Sequence, residues 1–347
     1  MLQSILEDYS QRLITRYGDK LSKDQYSALN AMTRCKQEST NELFVQCQQC
    51  DYSTRVPQSC GHRSCNQCQN HSTQQWLDRQ LHKQLPVNYF MATFTLPSEL
   101  RSTAMQQPKI VFNLLIQSAA STLKRFGLNE KNFNSELGLC VVLHTHTRRL
   151  DYHPHVHIVI PGGGIHKARK EWRKIKGKYL FNGRSLAKVF RAEFLQQLKE
   201  AGITVPITPK QWVTQCKKVG KGTQALTYLA RYLYRGVISN KNIIHDDGTH
   251  VTFQYKDSKT KEWKTRTLAG ETFIFLLLQH VLPKGFRRAR DYGYLHGNAK
   301  RTLKIIQWVL KVEPPPKLEK RRAEFSCKHC NGIMHASGII LARASPR

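Results

Sequence analysis

Two histidines separated by a single valine, His155 and His157, lie in the segment 152–161, where β-branched residues follow the second histidine. Successive side chains of a β-strand point to opposite faces, so both imidazoles are expected on one face of a sheet. Neutral imidazole is a common ligand of divalent cations. The spacing therefore predicts two ligands of a metal site, which a group from a neighbouring element would complete.

Two tyrosines, Tyr228 and Tyr232, lie four residues apart in a segment that predicts a helix over about 223–235. This spacing places both phenols on one helical face. A phenol has an ordinary pKa of about 10 and attacks a phosphodiester poorly unless a metal ion polarises it. Core packing is the alternative role, but Arg231 and Arg235 in the same segment favour a polyanion. We therefore expect covalent phosphoryl transfer on nucleic acid, with both tyrosines as nucleophiles.

The third metal ligand is expected from the strand predicted at 138–146, which a short connection joins to the histidine strand. If His146 pairs with His155, then His144 faces His157 and all four histidines share a face. His144 is the preferred ligand. The poorer candidates are Asp151, His153 and Gln224. Mg²⁺ or Mn²⁺ is the expected catalytic ion, with phosphate and water as further ligands, although an all-imidazole set would also accept softer ions.

Six of the ten cysteines cluster between residues 35 and 68, which predicts a metal-organised module. Two Cys-x2-Cys pairs fourteen residues apart can offer four thiolates to one tetrahedral Zn²⁺. The predicted ligands of this structural zinc are Cys47, Cys50, Cys65 and Cys68. The spare candidates, which could displace one of the four or serve a second ion, are Cys35, Cys60 and His62.

A further Cys-x2-Cys pair near the end of the sequence, Cys327 and Cys330, is followed by His335. This pattern resembles half of another zinc site. A fourth ligand is missing unless His329 or a distant residue supplies it.

The composition points to a polyanionic partner. The 347 residues include 55 lysines and arginines against 24 aspartates and glutamates, a formal net charge of +31. Nucleic acid is the expected partner, since no long apolar run or secretory signal favours a membrane or export. Clustered cysteines without such a signal indicate a reducing compartment, and we expect a bacterial cytoplasmic protein associated with the nucleoid.

Basic residues near the predicted site are candidates for contact with the DNA backbone. They lie in the patch 167–178, beside the tyrosines and in the segment 284–290. A solvated surface is the alternative for the first patch. The predicted DNA contacts are Lys167, Arg169, Lys170, Arg173, Lys218, Arg231, Arg235, Arg287, Arg288 and Arg290.

The order of predicted elements indicates an α+β fold with a central, mostly antiparallel sheet. Besides the segments above, strands are predicted at 88–96, 204–213, 250–255 and 263–268, and helices at 72–85, 107–126, 184–201 and 271–281. We expect a helical, zinc-binding module that contacts DNA at 1–72 and a catalytic domain at 73–312. The remainder, 313–347, is expected to be a proline-containing linker and a basic tail with a partial zinc ribbon.

Taken together, these motifs resemble one protein family. The cysteine cluster is followed by Tyr89-Phe-Met-Ala-Thr-Phe-Thr-Leu-Pro97, by the histidine strands ending in Pro161-Gly-Gly-Gly164, and by Tyr228-Leu-Ala-Arg-Tyr232. In this order they are similar to the two-tyrosine HUH transposases of rolling-circle insertion sequences, relatives of plasmid replication initiators and Helitrons.

The resemblance implies an HUH endonuclease with a ferredoxin-like or RRM-like palm. Such an enzyme would nick and transfer single-stranded or hairpin transposon ends through 5′-phosphotyrosine links, with a divalent cation and without ATP. By the same resemblance, His155 and His157 would bind the metal, and Tyr228 and Tyr232 would be the nucleophiles. Two alternatives stay open: a rolling-circle replication initiator with the same chemistry, and a zinc-dependent DNA-binding protein without catalysis.

Overall fold

The computed structural model describes residues 1–37, 41–131, 133–175, 177, 179–234, 237–257, 259–313 and 325–341. The chain divides into two compact units, each assembled from separate segments. The first unit consists of 1–73, 234–281 and 317–347, and the second of 74–233 and 282–316. The first unit's first segment ends at residue 73, and the predicted boundary lay between residues 72 and 73. Residues 234–281 and the C-terminal segment also join the first unit. The predicted linker around Pro314–Pro316 lies outside the described residues.

Helices and strands alternate along the chain. In the described ranges the helices are α1 (Leu2–Tyr17), α2 (Lys23–Thr33), α3 (Asn70–Leu81), α4 (Arg101–Gln106), α5 (Pro108–Leu128), α6 (Gly183–Glu200), α7 (Thr223–Tyr234), α8 (Gly270–Leu278) and α9 (Lys300–Val309). The strands are β1 (Glu42–Cys47), β2 (Ser53–Pro57), β3 (Tyr89–Thr95), β4 (Glu136–Leu137), β5 (Leu139–His146), β6 (Tyr152–Pro161), β7 (Gly163–His166), β8 (Glu171–Lys174), β9 (Thr214–Lys218), β10 (Ile243–Asp246), β11 (His250–Lys256), β12 (Trp263–Ala269), β13 (Ala289–Tyr292), β14 (Phe325–Ser326) and β15 (Ile333–Ile340).

The predicted fold class is confirmed, because every strand pair in the described part of the chain is antiparallel and helices pack on the sheets. The strand predicted at 204–213 is wrong, since regular pairing begins only at Thr214. Pro206 and Pro209 interrupt that segment and have no N–H to donate to a neighbouring strand.

The second unit is built on a five-stranded sheet with the order β13-β5-β6-β3-β9. Alternate residues of β6, among them Val156 and Ile158, point into a hydrophobic core that α5 and α6 complete. The opposite residues of β6 include both histidines of the predicted site. One face of the sheet is therefore held by apolar packing, and this packing fixes where the other face presents its side chains.

Local sequence explains the two helices that cover the sheet. Helix α5 begins with Pro108 at its first position, where a missing N–H costs nothing. Its buried residues recur at helical spacing and turn one apolar stripe toward the core. Helix α6 is capped by Asn182, whose side-chain oxygen accepts a hydrogen bond from the backbone N–H of Ser185 at 3.2 Å.

The register between β5 and β6 differs from the predicted one. His144 pairs with His155, and Val142 pairs with His157. An irregularity then separates His144 from His146, which pairs with Tyr152. The predicted pairing of His146 with His155 is therefore wrong by two residues. Because the side-chain period of a strand is two, this shift leaves His144 on the same face as the other two imidazoles.

The first unit combines a helical core with two small sheets. Helix α1 packs against α2 and α8, and the rings of Tyr17 and Phe275 stack with centroids 4.2 Å apart. Strands β10, β11 and β12 form one sheet, and the other has the order β14-β15-β1-β2. The last strand of the described chain, β15, thus lies beside β1. None of the helices in the described ranges has the length and apolar character needed to cross a bilayer.

Candidate active site and metal centres

Three histidines converge on the polar face of the five-stranded sheet. One ring nitrogen from each of His144, His155 and His157 lies within 4.8 Å of those of the other two. The ring centroids of His144 and His157 are 4.5 Å apart, and those of His155 and His157 are 5.0 Å apart. His144 is thus the histidine that completes the group. Of the poorer candidates, Asp151 and His153 lie outside it, and Gln224 is an exposed residue in the first turn of α7.

Hydrogen bonds orient two of these rings. Nδ1 of His155 lies 2.6 Å from the carbonyl oxygen of His153, so this nitrogen carries the proton and donates it. Nδ1 of His157 lies 3.0 Å from the hydroxyl oxygen of Thr93. A donated Nδ1–H at both rings leaves both Nε2 lone pairs available to a cation. The three-imidazole group therefore fits a divalent metal in its donor atoms and in its supporting contacts.

Thr93 was not found by sequence reasoning, although a signal exists. In β3, fully buried residues alternate with the half-buried residues Met91, Thr93 and Thr95. Thr93 pairs directly with His157 in the neighbouring strand. A threonine opposite a metal-binding histidine is a candidate second partner for its ring.

Burial keeps the imidazoles neutral. Removal from water lowers the pKa of His155 to about 3 and that of His157 to about 4, because a charged ring is poorly solvated there. The pKa of His144 is also held well below its ordinary value, mainly by burial and then by the two neighbouring histidines. Neutral imidazole is the form that binds a metal.

The tyrosine helix brings one predicted nucleophile to the histidines. The ring of half-buried Tyr228 has its centroid 6.0 Å from that of His157 and 6.4 Å from that of His144. Tyr232 follows one turn later in α7, but its side chain lies outside what the structure describes. The structure therefore places Tyr228 beside the three-imidazole group and does not address the position of the second phenol.

The start of α7 depends on a glycine. Gly222 has a φ of +93°, a conformation that side-chain-bearing residues rarely adopt, and its carbonyl oxygen accepts a hydrogen bond from Leu226 N–H at 2.9 Å. A Cβ atom at this position would lie 2.6 Å from the ring of Tyr89. The glycine therefore lets the chain turn tightly over β3 before it enters the helix.

The predicted DNA contacts are not equally accessible. The exposed ones are Lys167, Arg169, Lys170, Lys218, Arg231 and Arg287. Half-buried Arg173 forms an ion pair with Glu171 at 2.8 Å. Arg235 lies outside the described residues.

Two arginines predicted to contact DNA make contacts within the second unit instead. The guanidinium of Arg288 donates to the carbonyl oxygen of Leu233 at 3.2 Å, near the end of α7. Arg290 donates to the side-chain oxygen of Asn113 and lies over the ring of Phe286, 5.2 Å from its centroid. In this structure, both side chains therefore support the fold around the site.

The cysteines form two groups of four, not the single predicted group. One group contains Cys35, Cys60, Cys65 and Cys68, and the other contains Cys47, Cys50, Cys327 and Cys330. The predicted set Cys47, Cys50, Cys65 and Cys68 is therefore wrong as one site. The cause is the pairing of β1 with β15, which brings the last Cys-x2-Cys pair beside the first. The spare cysteines Cys35 and Cys60 complete the other group.

Sulfur spacing within the first group suits a tetrahedral ion. The Sγ atoms of Cys60 and Cys68 are 3.6 Å apart, and all four Sγ atoms lie within 4.8 Å of one another. Zinc bonds of about 2.3 Å place tetrahedral thiolates about 3.8 Å apart, whereas a disulfide would bring two sulfurs to about 2.05 Å. His62 does not belong to the group, and its Nδ1 accepts a hydrogen bond from Ser64 N–H at 3.2 Å.

Two family models match the chain. The model described as "Transposase zinc-binding domain", of the IS91 type, matches residues 1–96. The model described as "Putative transposase", of the Y2 type, matches residues 138–302. The matched ranges include the first cysteine group, the three histidines and both tyrosines.

Curated relatives include two transposases. The chain is 31% identical over 326 residues to "Putative transposase y4qJ" of Sinorhizobium fredii, a match that covers 85% of this chain and 82% of that protein. It is 28% identical over 269 residues to the transposase for insertion sequence element IS801 of Pseudomonas savastanoi pv. phaseolicola, covering 71% of this chain and 63% of that protein.

Solved structures of a conjugative relaxase, TrwC, are also similar to part of the chain. A metal-free complex with oriT DNA matches 64% of this chain and 73% of the relaxase at 13% identity, with a TM-score of 0.28. A complex with a 27-mer DNA comprising the recognition hairpin and the cleavage site matches 65% and 75% at 12% identity, with the same TM-score of 0.28. These scores are too low to indicate a shared fold on their own.

Proposed function

Because this chain belongs to the IS91-type transposases, which carry an N-terminal zinc-binding domain, we propose that it nicks and transfers single-stranded DNA through 5′-phosphotyrosine intermediates in rolling-circle transposition. The observation that carries the proposal is the position of Tyr228. Its ring lies beside the imidazoles of His144 and His157 on one face of the sheet. A weak nucleophile next to a group of metal-ligating side chains is the arrangement that such chemistry requires.

In the proposed reaction, the phenol oxygen of Tyr228 attacks a phosphorus atom of the DNA backbone. The bond from phosphorus to the 3′ oxygen breaks, and the phenol proton is transferred in net terms to that oxygen, which leaves as a 3′-hydroxyl. The tyrosine then holds the 5′-phosphate in a phosphodiester of similar energy. A later attack by another 3′-hydroxyl rejoins the DNA and restores the phenol, so no nucleotide cofactor is consumed.

The other residues of the site have supporting roles in this proposal. A divalent cation such as Mg²⁺ or Mn²⁺, held by His144, His155 and His157, would polarise the scissile phosphate and stabilise negative charge on its oxygens. Tyr232 is proposed as the second nucleophile, because its spacing from Tyr228 places it on the same helical face. The exposed lysines and arginines would hold the DNA backbone.

The first cysteine group is proposed to bind a structural Zn²⁺. It consists of four thiols within the range matched by the zinc-binding family model. Four thiolates leave no open position on a tetrahedral zinc, so this ion would organise the N-terminal module and take no part in the reaction.

Covalent capture of DNA tests the proposal. The protein is incubated with Mn²⁺ and labelled single-stranded DNA that carries the ends of its own element, and adducts are separated under denaturing conditions. We expect an adduct with the wild type, none with Tyr228→Phe/Tyr232→Phe, and a wild-type amount with the control Tyr179→Phe, which changes a 76% exposed tyrosine. Mapping of the adducted peptide then identifies the nucleophile.

Two results would contradict the proposal. An adduct that persists at the wild-type level in Tyr228→Phe/Tyr232→Phe would place the nucleophile elsewhere. DNA binding without cleavage by the wild type would indicate a binding protein without nuclease activity.

A further inference from the structure

The second cysteine group lies where β1 ends and β15 begins. The Sγ atoms of Cys47 and Cys330 are 3.4 Å apart, those of Cys50 and Cys327 are 3.7 Å apart, and all four lie within 4.8 Å of one another. These separations are close to the edge of about 3.8 Å that a tetrahedral zinc tetrathiolate has, and far from a disulfide. Thiolate ligands select soft or borderline ions such as Zn²⁺.

The two Cys-x2-Cys turns have the same hydrogen bonds to sulfur. The backbone N–H of Gln49 donates to Sγ of Cys47, and that of His329 donates to Sγ of Cys327, both at 3.4 Å. Amide donors of this kind stabilise a thiolate over a thiol. Each turn therefore presents its first sulfur in the form that a metal binds.

The backbones of both turns close in the same way. Cys47 N–H donates to the carbonyl oxygen of Tyr52 at 3.0 Å, and Cys327 N–H donates to that of Gly332 at 2.8 Å. In both cases the acceptor follows the cysteine by five residues. The two turns thus close with the same hydrogen bond, and their sulfurs face one another although Cys47 and Cys330 are 283 residues apart in the chain.

The turns also contact each other directly. A Cβ atom at Gly332 would lie 2.6 Å from the side-chain oxygen of Gln49 and 3.2 Å from Sγ of Cys330. Gln48 N–H donates to the carbonyl oxygen of Ile333 at 3.3 Å. The close approach of the two turns brings the four sulfurs together, and a side chain at position 332 would require Gln49 to move.

We propose that Cys47, Cys50, Cys327 and Cys330 bind a second Zn²⁺, which fastens the C-terminal segment 325–341 to strands β1 and β2. This site is independent of the proposed nicking reaction. Both Cys327 and Cys330 lie beyond residues 1–96 and 138–302, the ranges that the family models match. The chain would therefore carry two structural zinc ions, one within the N-terminal module and one that joins this module to residues near the other end of the sequence.

Among the described residues, the buried core of the four-stranded sheet is small. Its buried hydrophobic cluster consists of Val45, Cys47, Cys327 and Met334, with partly buried neighbours. A core of this size does not support an independent fold, and small modules of this kind usually depend on a metal or a disulfide. Loss of the ion should therefore release β14 and β15 from β1.

Zinc stoichiometry tests the site. The full chain is purified with Zn²⁺, and bound metal is counted by native mass spectrometry. Because the three-imidazole group can also take up zinc, the difference between proteins is the decisive quantity. We expect Cys327→Ser/Cys330→Ser to hold one zinc ion fewer than the wild type, and the control Cys216→Ser, which changes a half-buried thiol of the other unit, to hold as many as the wild type. A double variant that holds as many zinc ions as the wild type, or a wild type with a single zinc ion, would overturn the proposal.

A second measurement does not depend on the folding of any variant. The native wild-type protein is alkylated with and without a zinc chelator, and modified cysteines are identified by peptide mass spectrometry. We expect Cys47, Cys50, Cys327 and Cys330 to be protected with zinc and to become reactive together as the chelator removes it. Alkylation of Cys327 and Cys330 in the zinc-loaded protein, while Cys47 and Cys50 stay protected, would contradict the site. Neither measurement requires DNA cleavage, so failure of the proposed function would leave the result unchanged.

Discussion

The hydroxyl oxygen of Thr93 lies 3.0 Å from Nδ1 of His157, and this contact orients the imidazole ring in the proposed active site. A hydrogen bond donated by Nδ1–H of His157 to this hydroxyl holds the ring with Nε2 free for a metal. Removal of such outer contacts typically weakens metal binding by about 10- to 100-fold. In the proposed site, the hydroxyl would thus support the cation without touching it.

Thr93→Val, which keeps the shape of the side chain, should therefore weaken Mn²⁺ binding by about 10-fold or more. Titration calorimetry of the two proteins measures the difference. Thr95→Val changes the threonine that pairs with His155, and it is expected to leave the affinity close to that of the wild type because Nδ1 of His155 already donates to the carbonyl oxygen of His153. Equal affinities for all three proteins would show that the hydroxyl does not orient the ring.

Asp247 provides a pH-dependent contact in the turn between β10 and β11. Its carboxylate accepts hydrogen bonds from the Thr249 hydroxyl at 2.6 Å and from the His250 N–H at 2.6 Å, and the Thr249 hydroxyl first, then the backbone amides, lower its pKa to about 2. A depressed carboxyl pKa stabilises the folded state above the unfolded value of 3.8, and the contribution is lost as the pH falls toward 2. We expect Asp247→Asn to reduce the loss of stability between these pH values, measured by chemical unfolding. An unchanged pH profile would assign the acid sensitivity to other groups.

At the residue scale, local spacing was sufficient for some positions and not for others. His155 and His157 could be placed on one face because the strand period fixes which side chains point the same way. The position of Tyr228 beside them depends on how α7 packs on the sheet, and it was expected from the chemistry and the family resemblance. The partner of Cys47 could not be placed, because it depends on the pairing of two strands that are nearly 300 residues apart. No local pattern specifies that pairing.

At the scale of elements, the histidine hairpin shows why an error in register was harmless. The predicted and observed pairings differ by two residues, which is one full period of a strand. A shift of one residue would have moved His144 to the core side. The buried apolar residues on the other face of β5 exclude such a shift, because it would also move Val141 and Leu143 out of the core.

The entry to α7 is a second feature at this scale, and we expect it to be sensitive to a single methyl group. Gly222→Ala adds a Cβ atom that would overlap the Tyr89 ring, at a backbone φ of +93°. The cost should be about 1–3 kcal/mol of stability, with an additional loss of nicking because the first turn of α7 moves Tyr228. Thermal unfolding and the initial nicking rate measure the two effects.

Gly220→Ala is the matched control for this variant. Gly220 also has a positive φ, +68°, but no atom lies within 4 Å of the position of an added Cβ. We expect a smaller loss of stability, about 1 kcal/mol, and nearly normal nicking. Equal effects of both substitutions would mean that backbone conformation alone, and not the overlap with Tyr89, governs the start of the helix.

At the scale of the whole molecule, the net charge of +31 should dominate binding to DNA. Each contacted phosphate of a single strand contributes a slope of about −0.7 to the dependence of log affinity on log salt concentration. Removal of two exposed cations by Arg169→Ala/Lys170→Ala should therefore make the slope shallower by about 1.4 if both contact phosphates. Fluorescence anisotropy with labelled single-stranded DNA at several salt concentrations measures this slope. Lys109→Ala, outside the predicted contacts, should leave the slope unchanged, and an unchanged slope in the double variant would remove this patch from the DNA path.

The distance along the chain between β1 and β15 has a consequence for synthesis. Four of the five strands of the five-stranded sheet have been synthesised once residue 218 is made, whereas Cys330 follows Cys47 by 283 residues. Non-local pairings of this kind form slowly, and nascent segments that await them stay open. Closure of the first unit therefore has to wait for the last residues of the described chain, and a chain that stops before residue 330 would contain all strands of the five-stranded sheet but not the complete second cysteine group.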